Sequence, residues 1–296
     1  MTSSLEKERV RSHREAQLEE LRFTLHLLRQ SPLVIFGIVL IVVTVAAGVF
    51  APFIAPYGPE ERQWAKSLQP PSLEHFFGTD ETGGDIFSRV LWAIRIDLGL
   101  ALAIVVGSLV VEILIGCVAG YFGGKVDEAL MRVTDVFLAF PSLILAMAVA
   151  AALGRNLYNL ALSLVVTGWA GGARLVRGVI LSEREKLYVE AARAVGAARG
   201  RIMFRHVLPN AIYPLLVSAT LSLGGTILGF AGLSFIGFGA GSGMAELGYM
   251  IALGRDYLYR FPWVATFPGL TIFFIVLGFN LVGDGLRDIL DPRLRR

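Results

Sequence analysis

Six blocks of about 20 residues run through this chain almost free of charged side chains, and they constrain what it can fold into more than any other feature. A helix of about 20 apolar residues crosses a hydrocarbon core of roughly 30 Å. In lipid every backbone polar group must be satisfied within its own segment, so such blocks are expected to be helices. The expected spans are 33–53, 98–120, 129–153, 157–181, 212–238 and 264–286. The third is the least uniform, with Arg132 and Asp135 in its first turns. Charged residues make up 17% of the chain, against roughly a quarter in soluble domains, and they collect between the blocks.

Lysine and arginine give the expected orientation, because cytoplasmic loops are enriched in both. The N-terminal arm, the turn after span two, the segment Arg174 to Arg205 and the C-terminal tail together hold 20 of them, and the opposite face holds 7. Both termini are therefore expected in the cytoplasm, and the net charge of +3 is a topology signal. Basic and aromatic residues do not interleave as a nucleic-acid surface would require. In the arm, Leu18, Leu21, Leu25 and Leu28 fall at helical spacing, so residues 16–30 are expected to lie along the membrane surface as an interfacial helix. The first span is not expected to be a cleavable signal peptide. It follows about 30 mixed-charge residues and exceeds the usual 7–15 apolar residues.

Gly116 and Gly120, Gly168 and Gly172, and Gly225 and Gly229 are Gly-xxx-Gly pairs inside spans. Small residues at this spacing let helix backbones approach closely, so the spans are expected to pack as a bundle.

Catalytic signatures are absent. "AGYFGGKVD" resembles a phosphate loop, but Ala119 replaces its first glycine and Val126 the hydroxyl that would hold Mg. His13, His26, His75 and His206 are divided between the two faces, and Cys117 is the sole cysteine, so neither a metal site nor a disulfide is expected. Glu112 lies near the middle of span two, where a charge is costly. It is either a residue of a substrate path or proton route, or a carboxyl bonded to a neighbour inside the bundle. Ser218, Thr220, Ser222 and Asn280 are the other polar intramembrane candidates. Asp284 and Arg287 are spaced for an ion pair at the end of span six.

The charged stretch between spans four and five is too long for a simple connector. Ser182 and Glu185 have the spacing of a capping box. Leu187, Ala191 and Ala194 or Val195 mark one helical face, Gly196 interrupts it, and residues 197–204 can form a second short helix. Pro209 is expected to stop that helix before span five. The fold class is therefore all-α integral membrane, with six transmembrane helices, an N-terminal interfacial helix and a cytoplasmic helix-turn-helix.

This stretch carries a family resemblance. Glu190-Ala191-Ala192, three residues, Gly196, and then Leu208-Pro209 resemble the EAA loop of ABC-importer permeases, although His206 stands where the broad pattern has isoleucine. "FGTDETGGDIFSRV", "GYFGGKVDEALMR", "FLAFPSL", "RHVLPN", "LSFIGFG" and "FNLVGDGLRDILDPRL" are similar to segments of the peptide and nickel branch, in the same order. The chain is identified as a member of this inner-membrane permease family and most resembles its C-type dipeptide and oligopeptide subunit, over about residues 20–296. Gly84, Phe230 and "GMAELG" (243–248) depart from the branch pattern.

The resemblance implies a non-catalytic subunit of the prokaryotic cell membrane that works with a second homologous permease, two cytoplasmic ATPases and an extracytoplasmic binding protein. ATP and Mg would be held by the ATPases and no cofactor by this chain. Glu190, Ala191, Ala192, Gly196, Leu208 and Pro209 would dock the ATPase. Gly78, Thr79, Asp80, Asp85, Arg255 and Asp256 would face the binding protein. Glu112, Ser218, Ser222 and Asn280 would line the path. The expected organisation is a cytoplasmic arm (1–32), span one (33–53), an extracytoplasmic segment (54–96), a permease core (97–290) with coupling loop 183–210, and a tail (291–296). Peptide import is the leading function. Nickel or oligosaccharide import by the same machinery, a gradient-driven transporter using Glu112, and a membrane scaffold are the alternatives.

Overall fold

The computed structural model describes residues 31–239, 241 and 243–290. The expected interfacial helix and the C-terminal tail lie outside them. Eleven helices in chain order form the described part: α1 (Pro32–Val49), α2 (Ala51–Ile54), α3 (Ile86–Phe122), α4 (Gly124–Ala139), α5 (Ser142–Leu153), α6 (Leu157–Arg184), α7 (Leu187–Ala194), α8 (Arg199–Ile202), α9 (Leu208–Phe235), α10 (Leu247–Gly254) and α11 (Trp263–Leu290). No strand occurs among the described residues.

Five helices, α1, α3, α6, α9 and α11, are long and apolar enough to cross a membrane. The third expected span, 129–153, is not one helix. It is the pair α4 and α5, bent by 90° between Ala139 and Ser142. Phe140 has φ −94° and ψ 143°, as expected of a residue before proline, whose ring excludes the helical conformation there. α3 begins well before the expected residue 98, because Asp85 caps it by accepting a hydrogen bond from Ser88 N at 2.8 Å. Its 37 residues reach about 55 Å, so it extends beyond a hydrocarbon core.

α3 packs most extensively on α6, while α11 joins α9 to α1. The α3–α6 seam is where one glycine pair acts as expected. A Cβ on Gly116 would lie 2.5 Å from Val176 Cβ, and one on Gly120 would lie 2.9 Å from Arg177 O. Gly225 and Gly229 do not make such a seam. Gly225 has no neighbour within reach, and Gly229 has only Leu143 at 3.9 Å; both border a cavity.

The core divides by height. At one end Ile86, Val90, Leu247, Met250 and Val264 cluster with α11 residues. At the other, Val176, Ile180, Val189, Ile202 and Val207 pack together. Between them Phe230, fully buried, joins Ile104 and Leu160.

The segment between α6 and α9 departs from expectation at both ends. Ser182 and Glu185 do not cap a new helix, because α6 runs on through Arg184 and α7 starts after Lys186 without a side-chain cap. Pro209 does not stop the chain either. Met203–Val207 form one π turn, closed by Leu208 N to Met203 O, and α9 follows directly with a proline in its first turn. A helix's first turn has no use for that N–H, so proline is tolerated there.

Candidate functional site

Three places hold the residues singled out from the sequence. The first is the hook formed by α7, the Gly196 turn and α8. Its inner face, with Tyr188, Val189, Ala192 and Ala197, packs on the cluster around Ile180 and Val207. Polar bonds fix it to the bundle. Tyr188 Oη donates to Glu183 Oε2 at 2.8 Å, Lys186 Nζ lies 2.5 Å from Glu183 Oε1, and Arg184 Nη1 donates to Gly120 O at 2.8 Å. Burial, and then the bond to Glu183, push the Tyr188 hydroxyl up to about 12. The outer face presents Glu190, Ala191, Leu187 and Val195, the last two 81% and 83% exposed. Gly196 sits between the helices at φ +79° with open space around it, a left-handed conformation that glycine adopts without steric cost. Leu208 is half-buried and Pro209 exposed.

The second place is the opposite end, where residues 55–85 and 243–262 cover the bundle. Gly78, Thr79, Asp80 and Asp85 are all buried here, which corrects the expectation that they face a partner. Their polar groups are consumed in holding the segment together. Asp80 Oδ1 accepts from Thr82 N, Thr82 Oγ1 and Gly84 N at 2.7–2.9 Å, and its other oxygen pairs with Arg89. Asp85 Oδ1 lies 3.0 Å from His75 Nδ1 while its Oδ2 caps α3. Thr79 Oγ1 donates to Lys66 O. Satisfied buried polar groups of this kind fix a turn-rich segment that has little apolar core of its own. Gly84, which departs from the branch pattern, is pressed against this network; a Cβ there would lie 2.8 Å from Asp80 Oδ2. Arg255 and Asp256 are exposed and pair with each other at 3.1 Å.

Glu246 belongs to the same end. It caps α10 by accepting from Gly248 N at 2.8 Å and Tyr249 N at 2.7 Å, and Ser234 Oγ donates to it. Burial holds its carboxyl above the usual carboxylate range. Asp97 of α3 accepts from the neighbouring Leu247 N at 3.0 Å, so two buried acids clasp the start of α10.

The third place is a half-open cavity of about 370 Å³ lined by α3, α5, α6 and α9. Glu112 and Ser222 line it, together with Ser108, Thr167 and Thr226. Ser218 and Asn280 do not. Ser218 O accepts from Ser222 Oγ at 2.8 Å, and Asn280 packs against Gly224, where a Cβ would lie 2.8 Å from its Oδ1. Glu112 lacks, among the described residues, the bonded neighbour that one of its two readings expects. Among the described residues no side chain bonds to its carboxylate, which fills the space left by Gly172. The expected Asp284–Arg287 ion pair does not form among the described residues.

Residues 112–296 match the family described as "Binding-protein-dependent transport system inner membrane component". The chain belongs to this family. Residues 22–71 also match the N-terminal TM domain of oligopeptide transport permease C. Among curated relatives, this permease is 40% identical to the dipeptide transport system permease protein DppC of Alkalihalophilus pseudofirmus, over 90% of its own length and 88% of the relative's. It is 42% identical to the probable D,D-dipeptide transport system permease protein DdpC of Escherichia coli, over 90% of each chain. The oligopeptide transport system permease protein OppC of Bacillus subtilis is 36% identical, over 90% of this chain and 88% of that one. Among solved structures, the MetNI methionine ABC transporter in inward facing conformations matches with a TM-score of 0.54 at 20% identity, covering 68% of this chain and 96% of that one. That likeness concerns the fold. The permease is thus a multi-pass, all-helical membrane protein with the fold of ABC-importer permeases.

Some residues of the permease's sites escaped sequence reading. Thr167 enters the cavity from α6, distant in sequence from Glu112, and nothing in its local pattern marks it, whereas Ser108 lies one turn before Glu112 on the same face of α3. Glu183 looks like an ordinary end-of-helix acid, but it anchors the hook. Glu246 lies in "GMAELG", a stretch visible from sequence only as a departure from the branch pattern.

Proposed function

We propose that this permease forms half of the translocation path of an ATP-driven peptide importer. The near full-length likeness to dipeptide and oligopeptide permeases carries the reading; nickel and sugars do not figure in the names of these relatives. The chain itself is non-catalytic in this reading. A second homologous permease completes the path, two cytoplasmic ATPases bind ATP and Mg, and an extracytoplasmic binding protein delivers the peptide. Both termini are cytoplasmic, as the distribution of lysine and arginine favours.

The hook transmits the ATPase stroke. Glu190 makes a polar contact with the ATPase, Ala191 and Ala192 allow close approach, and Gly196 sets the bend. Leu208 and Pro209 join the hook to α9. The outer face is supported as a contact by its exposed Leu187 and Val195, and the bonds through Tyr188, Lys186 and Arg184 would pass a push into α6 and α3. Nucleotide and substrate then bias one two-state bundle from opposite ends. The binding protein docks on the exposed outer surface near Arg255 and Asp256, while the Asp80 and Asp85 network keeps that surface in shape. The cavity at Glu112 and Ser222 is this subunit's share of the path.

Purification of the permease in mild detergent, beside a Glu190→Lys variant, tests the reading. Wild type should retain a second permease and an ATPase, and the variant should lose the ATPase. Copurification of no ATPase with either protein would overturn it.

A further inference from the structure

We infer that Glu112 makes the cavity between α3, α5, α6 and α9 a subsite for a primary ammonium group of the transported solute. This rests on the reading of the cavity as part of a peptide path. Its volume of about 370 Å³ falls in the range of small-molecule pockets. Among the described residues, Glu112 is the only charged side chain in its lining, which holds no Lys, Arg or His. The carboxylate therefore has no resident counter-charge among the described residues.

The neighbouring hydroxyls add to this bias. Thr167 Oγ1 donates to Ser163 O and Ser222 Oγ to Ser218 O, each at 2.8 Å. A hydroxyl has one proton to donate and two lone pairs, so both groups offer only acceptors to the cavity. The remaining hydroxyls of the lining are neutral and can turn either way. An ammonium group has three donors and no acceptor, matching one carboxylate and two such oxygens. A carboxylate ligand would instead meet the Glu112 charge.

The position of Glu112 is fixed by packing. A Cβ on Gly172 would overlap its carboxyl carbon at 2.0 Å, so α6 leaves room at that one position for the acid. A proton route is poorly served by the same geometry, because no second ionisable group among the described residues lines the cavity.

The test uses the assembled importer in proteoliposomes, with this permease, its partner permease, both ATPases and the binding protein. Uptake is measured for alanylalanine (an α-ammonium only), N-acetylalanyllysine (a side-chain ammonium only) and N-acetylalanylalanine (neither). The binding protein is the same throughout, so its preference cancels in each variant-to-wild-type ratio. Glu112→Gln should lower uptake of one or both ammonium-bearing peptides about tenfold, as expected for losing one charge-assisted contact, while the third stays within about twofold. The peptide that falls identifies the source of the ammonium. Ser222→Ala should give the same pattern with a smaller drop, and it carries the test if Glu112→Gln does not assemble. Equal loss for all three peptides, or no loss, would overturn the inference and leave the peptide path standing. Failure of the intact wild-type complex to import any of the three would instead overturn the peptide reading, and this inference with it.

Discussion

The Glu112 carboxyl occupies the space that a side chain on Gly172 would need: a Cβ there would lie 2.0 Å from Glu112 Cδ and 2.2 Å from Oε2. Gly172 on α6 is thus the complement of an acid on α3. Gly172→Ala must either displace the carboxyl or part the two helices, and overpacking of this kind costs about 1–3 kcal/mol. A lower melting temperature in detergent is the expected result. Gly171, next in the chain, has open space around it. Gly171→Ala should be neutral or slightly stabilising, since alanine favours a helix over glycine by up to ~1 kcal/mol.

Gly196→Ala should cost about 1–2 kcal/mol, from backbone strain alone, because φ is +79° and no atom lies within 4 Å of the new methyl. The effect should be local. Hydrogen exchange of residues 197–202 should quicken while the core helices stay protected, and ATP-driven uptake should fall. Gly200→Ala, in the same hook with open space and no left-handed φ, should leave both unchanged.

Arg89→Met should remove the partner of a buried carboxylate. Arg89 pairs with Asp80, and as whole residues both are at most 5% exposed. Leaving one member of such a pair behind typically costs about 3–5 kcal/mol. Residues 55–85 should become open to protease while the hook does not. Double replacement by Asp80→Asn and Arg89→Met should recover part of the loss, since the amide oxygen can still accept from Thr82 and Gly84 and no charge is then stranded.

The clasp on α10 should loosen with rising pH. Burial raises the Glu246 carboxyl above its ordinary value of 4.5, so the folded state holds its proton more tightly than the unfolded state. The stabilisation is complete below about pH 4.5 and is lost as the pH rises through the raised folded value. Hydrogen exchange of residues 247–254 should therefore quicken between those limits. Glu246→Gln, which does not titrate, should flatten that dependence. An unchanged pH profile in the variant would show that another group controls the clasp.

The sequence alone determined that the chain crosses a membrane as helices, because long charge-free blocks admit no other backbone solution in lipid. Local motifs carried the family as well, and the Gly116–Gly120 seam and the bend at Gly196 were legible from spacing and residue type. The bend between α4 and α5 was locally written too, in Phe140-Pro141, but an apolar block of the right length masked it. Tertiary structure decided what each polar residue does. Asp80 and Asp85 lie in a loop whose sequence reads as surface, and they are buried because Arg89, His75 and the cap of α3 converge on them. Glu112 reads as an isolated acid on one helix. Only the folding of α5, α6 and α9 around it supplies Thr167, Ser222 and the cavity they share. Helix formation is a matter of neighbours in the chain, whereas the surroundings of a buried charge are set by helices that meet in space.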